Sequence, residues 1–344
     1  IVGEAPSDVY TEEVLNSAKD TTAVVVLSRD SSEASDYSTN MKDPNGDSFT
    51  TPMSISVYER EMIKLAKENS NGKVVVLINS DVPMEIEELK EDPQIGAILW
   101  TGLPGMNGFL GVCDVLSGDV NPSGHISDTY AVNSTSSPAM TNFGLYMYTN
   151  NSTAGAEAEL TDVNKADWYV VETEGIYIGY KYYETRYEDS VLGQGNANAN
   201  EGSSTESGWN YADEVTYPFG YGLSYTTFEQ KLDSVDVSVG EKGIAKVTVT
   251  NTGNVAGKDV VQLYVQTPYT VGGLEKSAVQ LLDFGKTKVL NPGESETIEI
   301  EFDPEYMASY DENLTKEDGT NGAWVLDGGD YYFTVGNGAH EALN

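Results

Sequence analysis

The sequence has little of what metal centres and disulfide-stabilised domains require. It contains a single cysteine, Cys113, and two histidines, His125 and His340. One thiol cannot form an intramolecular disulfide or a multi-cysteine zinc site, and the two histidines lie too far apart for a local metal-binding motif. A metal centre built on cysteine or on a local histidine motif is therefore not expected.

Basic residues are also scarce. The chain has 19 lysines and arginines against 55 aspartates and glutamates, a formal net charge of −36. Such a field repels polyanions, so nucleic acid is not an expected partner, whereas a neutral carbohydrate is not penalised. The sequence has no run of about 18 apolar residues, which excludes a transmembrane helix. An acidic surface helps to keep a secreted protein soluble, and we favour a secreted or cell-surface bacterial protein over a cytoplasmic one.

The first 130 residues alternate apolar runs with helical patterns. Predicted strands cover residues 22–27, 74–78 and 95–100, and predicted helices cover 56–68 and 84–90. Ser56 and Glu59 have the spacing of a capping box at a helix start. This alternation predicts right-handed βαβ units, and hence a mainly parallel sheet with helices on both faces.

The last third of the chain has a different period. Short alternating strands are predicted near residues 245–250, 260–265, 279–290, 296–302 and 331–335, separated by turns such as 291–293 (NPG). This pattern indicates a β-sandwich of fibronectin type III character. We divide the chain into an α/β domain (1–160), a connecting segment (161–228) with a polar low-complexity loop (193–208), and the sandwich (229–344).

Three motifs carry a family resemblance. They are WTGLPG (100–105) with DVLSG (114–118) and NPSG (121–124), then EGIYIGYKYY (174–183), and then PFGYGLSYTTF (218–228). In this order they resemble the C-terminal region of family 3 glycoside hydrolases, which implies an α/β sandwich followed by a fibronectin type III-like domain. We expect most motif residues to be structural, with Gly102, Gly105 and Gly220 supplying positive φ or close backbone approach.

A polar loop with a carboxylate follows the first predicted strand. Open α/β sheets place ligand groups at this position, and residues 28–36 read SRDSSEASD. The segment resembles the family's (S/G)GEGxD loop, which implies that Glu33 is the general acid/base and that Asp36 matches the final, substrate-binding aspartate. The family's two glycines are here Ser32 and Ala34, which stiffens the loop.

The second carboxylate of a retaining glycosidase is missing. In this family the nucleophile is an aspartate in an SDW-like string on a (β/α)8 barrel, and none of the chain's Ser-Asp pairs is followed by Trp. The resemblance thus implies that the nucleophile lies on a barrel domain or chain outside these 344 residues. Residues 120–131 and 140–144 are most similar to circularly permuted bacterial members.

The resemblance implies a retaining β-glucosidase that hydrolyses terminal β-D-glucosyl residues of oligosaccharides or aryl glucosides. Two alternatives stay open: a β-xylosidase or another family 3 exo-glycosidase, and a non-catalytic carbohydrate-binding or interaction module. Aromatic residues such as Tyr177, Tyr180 and Trp100 suit sugar stacking, although core packing is their more common use. His125 is expected to face solvent.

Overall fold

A computed structural model describes residues 10–29, 53–142, 146–147, 168–169, 171–192, 209–238 and 240–343. The polar loop at 193–208 lies outside these ranges.

The N-terminal part forms a three-stranded parallel sheet, as predicted. Its elements are α1 (Glu12–Ser17), β1 (Ala23–Ser28), α2 (Val57–Asn69), β2 (Val74–Asn79), α3 (Glu87–Lys90), β3 (Ile95–Trp100) and α4 (Gly105–Ser117). The strand order is β1-β2-β3, with Val24 opposite Val75 and Val26 opposite Leu77. Of the helix predicted over 84–90, only the last four residues are helical.

Helix α2 begins at the predicted capping box. The Ser56 hydroxyl accepts a hydrogen bond from the Glu59 amide at 3.1 Å, and the Glu59 carboxylate accepts one from the Ser56 amide at 2.8 Å. The helix buries Tyr58 and Ile63. One face of the sheet packs into a core with this helix and the segment that follows β2; its members are Val25, Leu27, Ile55, Ile63, Val74, Val76, Ile78, Met84, Ile86, Leu89 and Tyr130.

The opposite face of the sheet differs from the prediction of helices on both faces. Val24 and Val26 are exposed, and α4 buries none of its residues. The strand order supplies the reason. Right-handed crossovers from β1 to β2 and from β2 to β3 run in the same direction across the sheet, so both place their helices on the same side. Helix α4 lines a groove beside this face without burying its own side chains, so the face is only partly covered in the part of the chain that the structure describes.

A Tyr-rich connector links the two halves. Its elements are β4 (Tyr130–Ala131), a 3₁₀ turn (Ser134–Ser136), α5 (Pro138–Thr141), β5 (Tyr146–Met147), β6 (Trp168–Tyr169), α6 (Tyr180–Tyr187), a π-helical turn (Glu188–Leu192), α7 (Tyr211–Glu214) and β7 (Val215–Tyr217). Strands β4 and β7 pair, and a small core of Ala131, Tyr177, Tyr182, Tyr183, Tyr211 and Val215 holds the segment together.

The C-terminal part is a β-sandwich, as predicted. Its elements are β8 (Phe228–Asp236), β9 (Gly243–Asn251), β10 (Val260–Gln266), β11 (Gln280–Lys286), β12 (Ser295–Phe302), a 3₁₀ turn (Pro304–Met307), β13 (Ser309–Thr315), β14 (Asn321–Val325), β15 (Tyr332–Gly336) and α8 (Ala339–Leu343). The sheets β12-β9-β8 and β11-β10-β15 enclose one core, to which β9 contributes alternate residues. Among the described helices, none combines the length and apolarity needed to cross a bilayer.

Candidate active site

The carboxyl end of β1 carries a buried arginine. Arg29 pairs with Glu59 of α2 through two hydrogen bonds, of 2.6 Å from Nη1 to Oε1 and 3.0 Å from Nη2 to Oε2. Both side chains are almost completely removed from water. A bidentate pair of this kind fixes the guanidinium in one orientation, because the two planar groups must align. The pair thus anchors the point at which the chain leaves the sheet.

The Arg29–Glu59 pair also anchors the residues at which the chain returns to the sheet after residues 30–52. Arg29 Nη2 donates to the Ser54 carbonyl oxygen at 2.6 Å, and the Glu59 carboxylate accepts from the Ser56 amide. Ser54 also forms a parallel bridge with Glu85, next to the 3.1 Å hydrogen bond from the Glu85 amide to the Met53 carbonyl. Both ends of the intervening segment, residues 30–52, are therefore attached at the carboxyl edge of the sheet.

The predicted acid/base residue belongs to this segment. Glu33 and Asp36 both lie outside the described residues, as do Ser32 and Ala34. The loop begins directly after the buried Arg29, and Glu33 is four residues further along the chain than Arg29. The assignment of Glu33 as general acid/base and of Asp36 as a substrate-binding residue stays a prediction.

A small cavity lies beside the returning segment. It has a volume of about 170 Å³ and is lined by residues that follow β2, by the segment around β4 and by the start of α6; these include Pro83, Met84, Asp128, Thr129, Ser134, Met140, Glu174, Tyr177 and Tyr182. The Glu85 carboxylate accepts hydrogen bonds of 2.8 Å from the Ser134 amide and hydroxyl, which ties this wall to the loop anchor. The cavity is below the roughly 300–1,000 Å³ of pockets that enclose drug-sized ligands.

The polar groups of the cavity differ in exposure: Thr129 is buried, whereas Asp128 is exposed. Partial desolvation of the Asp128 carboxyl raises its pKa above the usual range. Thr129 is buried, and its hydroxyl has no hydrogen-bond partner among the described residues. Burial, followed by the nearby charge of Glu275, raises the pKa of Tyr177. Sequence reasoning missed this cavity, since Asp128 was considered only as a Ser-Asp pair without a following Trp.

The family motifs serve the joint between the two halves. Asn121 of NPSG accepts hydrogen bonds from the Ser224 hydroxyl at 2.9 Å and the Tyr225 amide at 2.8 Å, and it donates to the Ala256 carbonyl at 3.1 Å. One side chain thus joins the α/β part, the GLSY segment and the sandwich. The motif residues at this joint are structural, as expected.

The motif glycines have the predicted backbone. Gly102, Gly105 and Gly220 have φ values of 57°, 63° and 84°. At Gly220 a Cβ atom would overlap the Gln262 side chain, whose Nε2 donates to the Gly220 carbonyl at 2.9 Å. Only glycine combines this left-handed conformation with so close a neighbour.

Two expectations about rings are resolved by contacts. His125 is partly buried: its Nδ1 lies 2.6 Å from the Gly220 carbonyl oxygen, to which it donates, although the two residues are 95 positions apart in the sequence. Tyr177 is buried, and Tyr180 stacks on Phe219 with ring centroids 4.4 Å apart, so these two rings pack in the interior. Trp100 donates from Nε1 to the Ser80 carbonyl at 2.8 Å.

These features agree with the family models that match the chain. Residues 4–225 match the glycosyl hydrolase family 3 C-terminal domain, and residues 259–339 match the fibronectin type III-like domain. The first match covers more than half of the chain, which therefore belongs to glycoside hydrolase family 3.

The curated relatives are named as β-glucosidases. Beta-glucosidase A of Butyrivibrio fibrisolvens is 34% identical over 297 residues, which cover 82% of this chain and 30% of that protein. A beta-glucosidase of Ruminococcus albus is 32% identical over 285 residues, covering 83% of this chain and 24% of the relative. The chain thus spans less than a third of the length of these relatives.

Solved structures share the fold over nearly the whole chain. A beta-glucosidase from Paenibacillus barengoltzii has a TM-score of 0.69 at 31% identity, covering 95% of this chain and 30% of the other. Beta-glucosidase 3B from Thermotoga neapolitana, in complex with α-D-glucose, has a TM-score of 0.68 at 30% identity, covering 98% and 39%. The α/β part followed by the sandwich is thus an arrangement that both enzymes share.

Proposed function

We propose that this chain is the acid/base-bearing part of a retaining exo-acting β-glucosidase that hydrolyses terminal β-D-glucosyl residues of oligosaccharides. The observation that carries the proposal is the buried Arg29–Glu59 pair, which attaches both ends of the Glu33 loop to the carboxyl edge of the sheet. Open α/β sheets bind ligands at this edge. The similarity to proteins named β-glucosidase supports the choice of sugar.

In this mechanism Glu33 acts twice. Its carboxylic acid first gives a proton to the glycosidic oxygen, while a nucleophilic aspartate attacks the anomeric carbon and the bond to the leaving group breaks. The Glu33 carboxylate then takes a proton from water, whose oxygen attacks the same carbon and releases glucose and the free aspartate. The two carboxylates of retaining enzymes lie about 5–5.5 Å apart, and no cofactor takes part.

The nucleophile comes from a second part of the enzyme. We propose that it lies on a (β/α)8 barrel, carried by another domain or another chain, because the present residues span less than a third of the relatives. Asp36 is proposed to accept a hydrogen bond from a substrate hydroxyl. A neutral sugar is compatible with the net charge of −36.

The test uses aryl β-glucosides with the chain alone and with the barrel-bearing polypeptide. Loss of a general acid/base typically lowers the rate by about 10²–10⁴-fold, so we expect this for Glu33→Ala in the assembled enzyme. With an activated leaving group, azide should restore turnover, since it replaces water without needing a general base. Glu68→Ala, which removes an exposed carboxylate from α2, is the matched control and should keep full activity.

Two results would contradict the proposal. Full activity of Glu33→Ala in the assembled enzyme would remove the acid/base assignment. Hydrolysis by the isolated chain would show that a nucleophile is present within these 344 residues. Parallel assays with aryl β-xylosides test the sugar, and we expect kcat/KM to be higher for the glucoside.

A further inference from the structure

An exposed aromatic pair lies on the β13–β14 hairpin of the sandwich. Among the described strands, β13 and β14 pair only with each other, and Tyr310 lies directly opposite Trp324. Tyr310 is 53% exposed and Trp324 is 71% exposed. Ala323 and Val325, which alternate with Trp324 along the strand, are partly buried. The two rings therefore lie on the outer face of the hairpin, where core packing does not account for them.

The two rings have a defined arrangement. Their centroids are 5.4 Å apart, and their planes meet at 68°. Gly322 has a φ of 93°, and a Cβ atom at this position would overlap the Tyr310 hydroxyl and ring carbon atoms. A glycine within a strand allows such a close approach, so the Tyr310 ring lies over the β14 backbone. We call Tyr310, Gly322 and Trp324 together the aromatic corner, because one ring covers the strand and the other is steeply inclined to it.

The size of the aromatic corner argues against a protein interface. Tyr and Trp side chains bury about 150–250 Å² each, so the two rings offer at most about 500 Å². One side of a stable protein interface covers about 800 Å². Apart from Leu314 and Gly319, the other exposed residues of the hairpin, residues 309–325, are polar or charged. The corner is therefore small enough for one or two units of a small ligand or polymer.

The charge of the hairpin favours a neutral ligand with hydroxyl groups. Residues 309–325 contain four acidic residues and one lysine. Negative charge repels anionic polymers and anionic membrane surfaces, whereas carboxylates accept hydrogen bonds from hydroxyl groups. A β-linked glucose unit has equatorial ring substituents, which leave flat faces of C–H groups. These faces suit the electron-rich face of an aromatic ring, and the sugar hydroxyls at the rim suit the polar surroundings.

We propose that the aromatic corner binds a glucosyl unit of a β-linked glucan chain. One C–H face of the sugar packs on the Tyr310 ring, and the edge of the sugar contacts Trp324. A binding point on a polymer raises the effective concentration of its other units around the same protein molecule. The choice of glucose rests on the proposed function, whereas the location of the site rests on the two rings and Gly322.

The test measures binding of the 344-residue chain to cellohexaose by calorimetry and to soluble mixed-linkage β-glucan by affinity electrophoresis. Trp324→Ala should weaken both by about 10-fold or more, because a single aromatic anchor often dominates a small binding site. Trp324→Phe keeps a flat ring and should retain most of the affinity. Phe284→Ala is the matched control: it removes a ring that is 63% exposed on β11, and its binding should equal that of the wild type.

A second variant separates binding from stability of the hairpin. Tyr310 and Trp324 also form a cross-strand pair, which can stabilise two paired strands. Trp324→Leu keeps an apolar contact with Tyr310 but has no flat ring. We expect it to lose binding as Trp324→Ala does, while its melting temperature stays close to that of Trp324→Phe. Loss of binding in step with a lower melting temperature would reduce the pair to a structural role.

Three further results would overturn the proposal. They are unchanged cellohexaose binding by Trp324→Ala, equal affinity of the wild type for cellohexaose and the α-linked maltohexaose, and no binding of either sugar. Self-association that Trp324→Ala abolishes would assign the corner to a second copy of the chain instead. The acid/base assignment is tested independently, because it depends on the turnover of Glu33→Ala and not on glucan binding by Trp324→Ala.

Discussion

The sandwich and the α/β part bury their sheets to different extents. In the sandwich, Val247 of one sheet and Leu263 of the other are fully buried, and the two sheets close over each other. In the α/β part, Leu27 is fully buried on one face while Val24 and Val26 are exposed on the other. The sandwich therefore closes its hydrophobic core, whereas one face of the sheet in the α/β part stays largely exposed among the described residues.

The largest effect is expected from the buried ion pair. Removing one partner of a buried pair costs about 3–5 kcal/mol, so Glu59→Ala should destabilise the α/β part by this amount and lower the activity of the assembled enzyme. Hydrogen exchange of β1 and β9 measures the two parts separately, and β9 should be unaffected. Glu88→Ala, which removes the exposed partner of Arg60, should cost less than about 1 kcal/mol. Equal losses for the two variants would show that burial does not decide the effect.

Core truncations test the comparison directly. Leu263→Ala should destabilise the sandwich by about 2–5 kcal/mol, because it leaves a cavity in a closed core. Val26→Ala should change the stability of the isolated chain by less than about 0.5 kcal/mol, since its side chain already meets water. Urea denaturation measures both. A large loss for Val26→Ala would mean that the isolated α/β part already has its second layer.

A glycine substitution tests the joint between the parts. Gly220→Ala introduces both a left-handed alanine and a contact with Gln262, whereas Gly293→Ala has a similar φ, 79°, and open space around its Cβ. Crowding of this kind costs about 1–3 kcal/mol, so Gly220→Ala should be less stable than Gly293→Ala by that amount. Thermal denaturation of the two variants gives the difference. Identical losses would show that Gln262 moves aside freely.

The smallest effect concerns pH. Burial raises the pKa of Asp259 in the sandwich above its usual value. The folded state therefore favours the protonated acid, and this contribution to stability is lost as the pH rises from the unfolded pKa through the folded pKa. In Asp259→Asn the neutral side-chain amide can still accept the hydrogen bond from Gln230. This variant should unfold at a higher urea concentration than the wild type at neutral pH. The advantage should vanish below the usual aspartate pKa; an advantage independent of pH would exclude this cause.

Local patterns were sufficient to predict most of the fold. The continuous apolar runs of β1, β2 and β3 and the capping box at Ser56 are properties of a few adjacent residues, and the alternation of β9 follows from one buried face. The face on which each helix lies is different, because it depends on strand order. Strand order is set by contacts between distant segments, and this is why the exposure of Val24 and Val26 on the second face of the sheet was not foreseen.

The candidate site was only partly predictable for the same reason. The resemblance pointed to Glu33, but the Arg29–Glu59 pair joins residues 30 positions apart, and no local pattern marks it. The joint at Asn121 connects residues more than 100 positions apart. A polar residue directly after a buried strand, such as Arg29, was the one available signal.

The attachment of residues 30–52 to a single ion pair has a consequence for evolution and engineering. The hydrogen bond from Arg29 to the Ser54 carbonyl oxygen ties the residue before this segment to a residue just after it. Doubling the length of a loop costs only about 0.6 kcal/mol in closure entropy. The distance along the chain between Arg29 and Ser54 can therefore change through insertions or deletions at a small cost in closure entropy, as long as these two residues keep their contact.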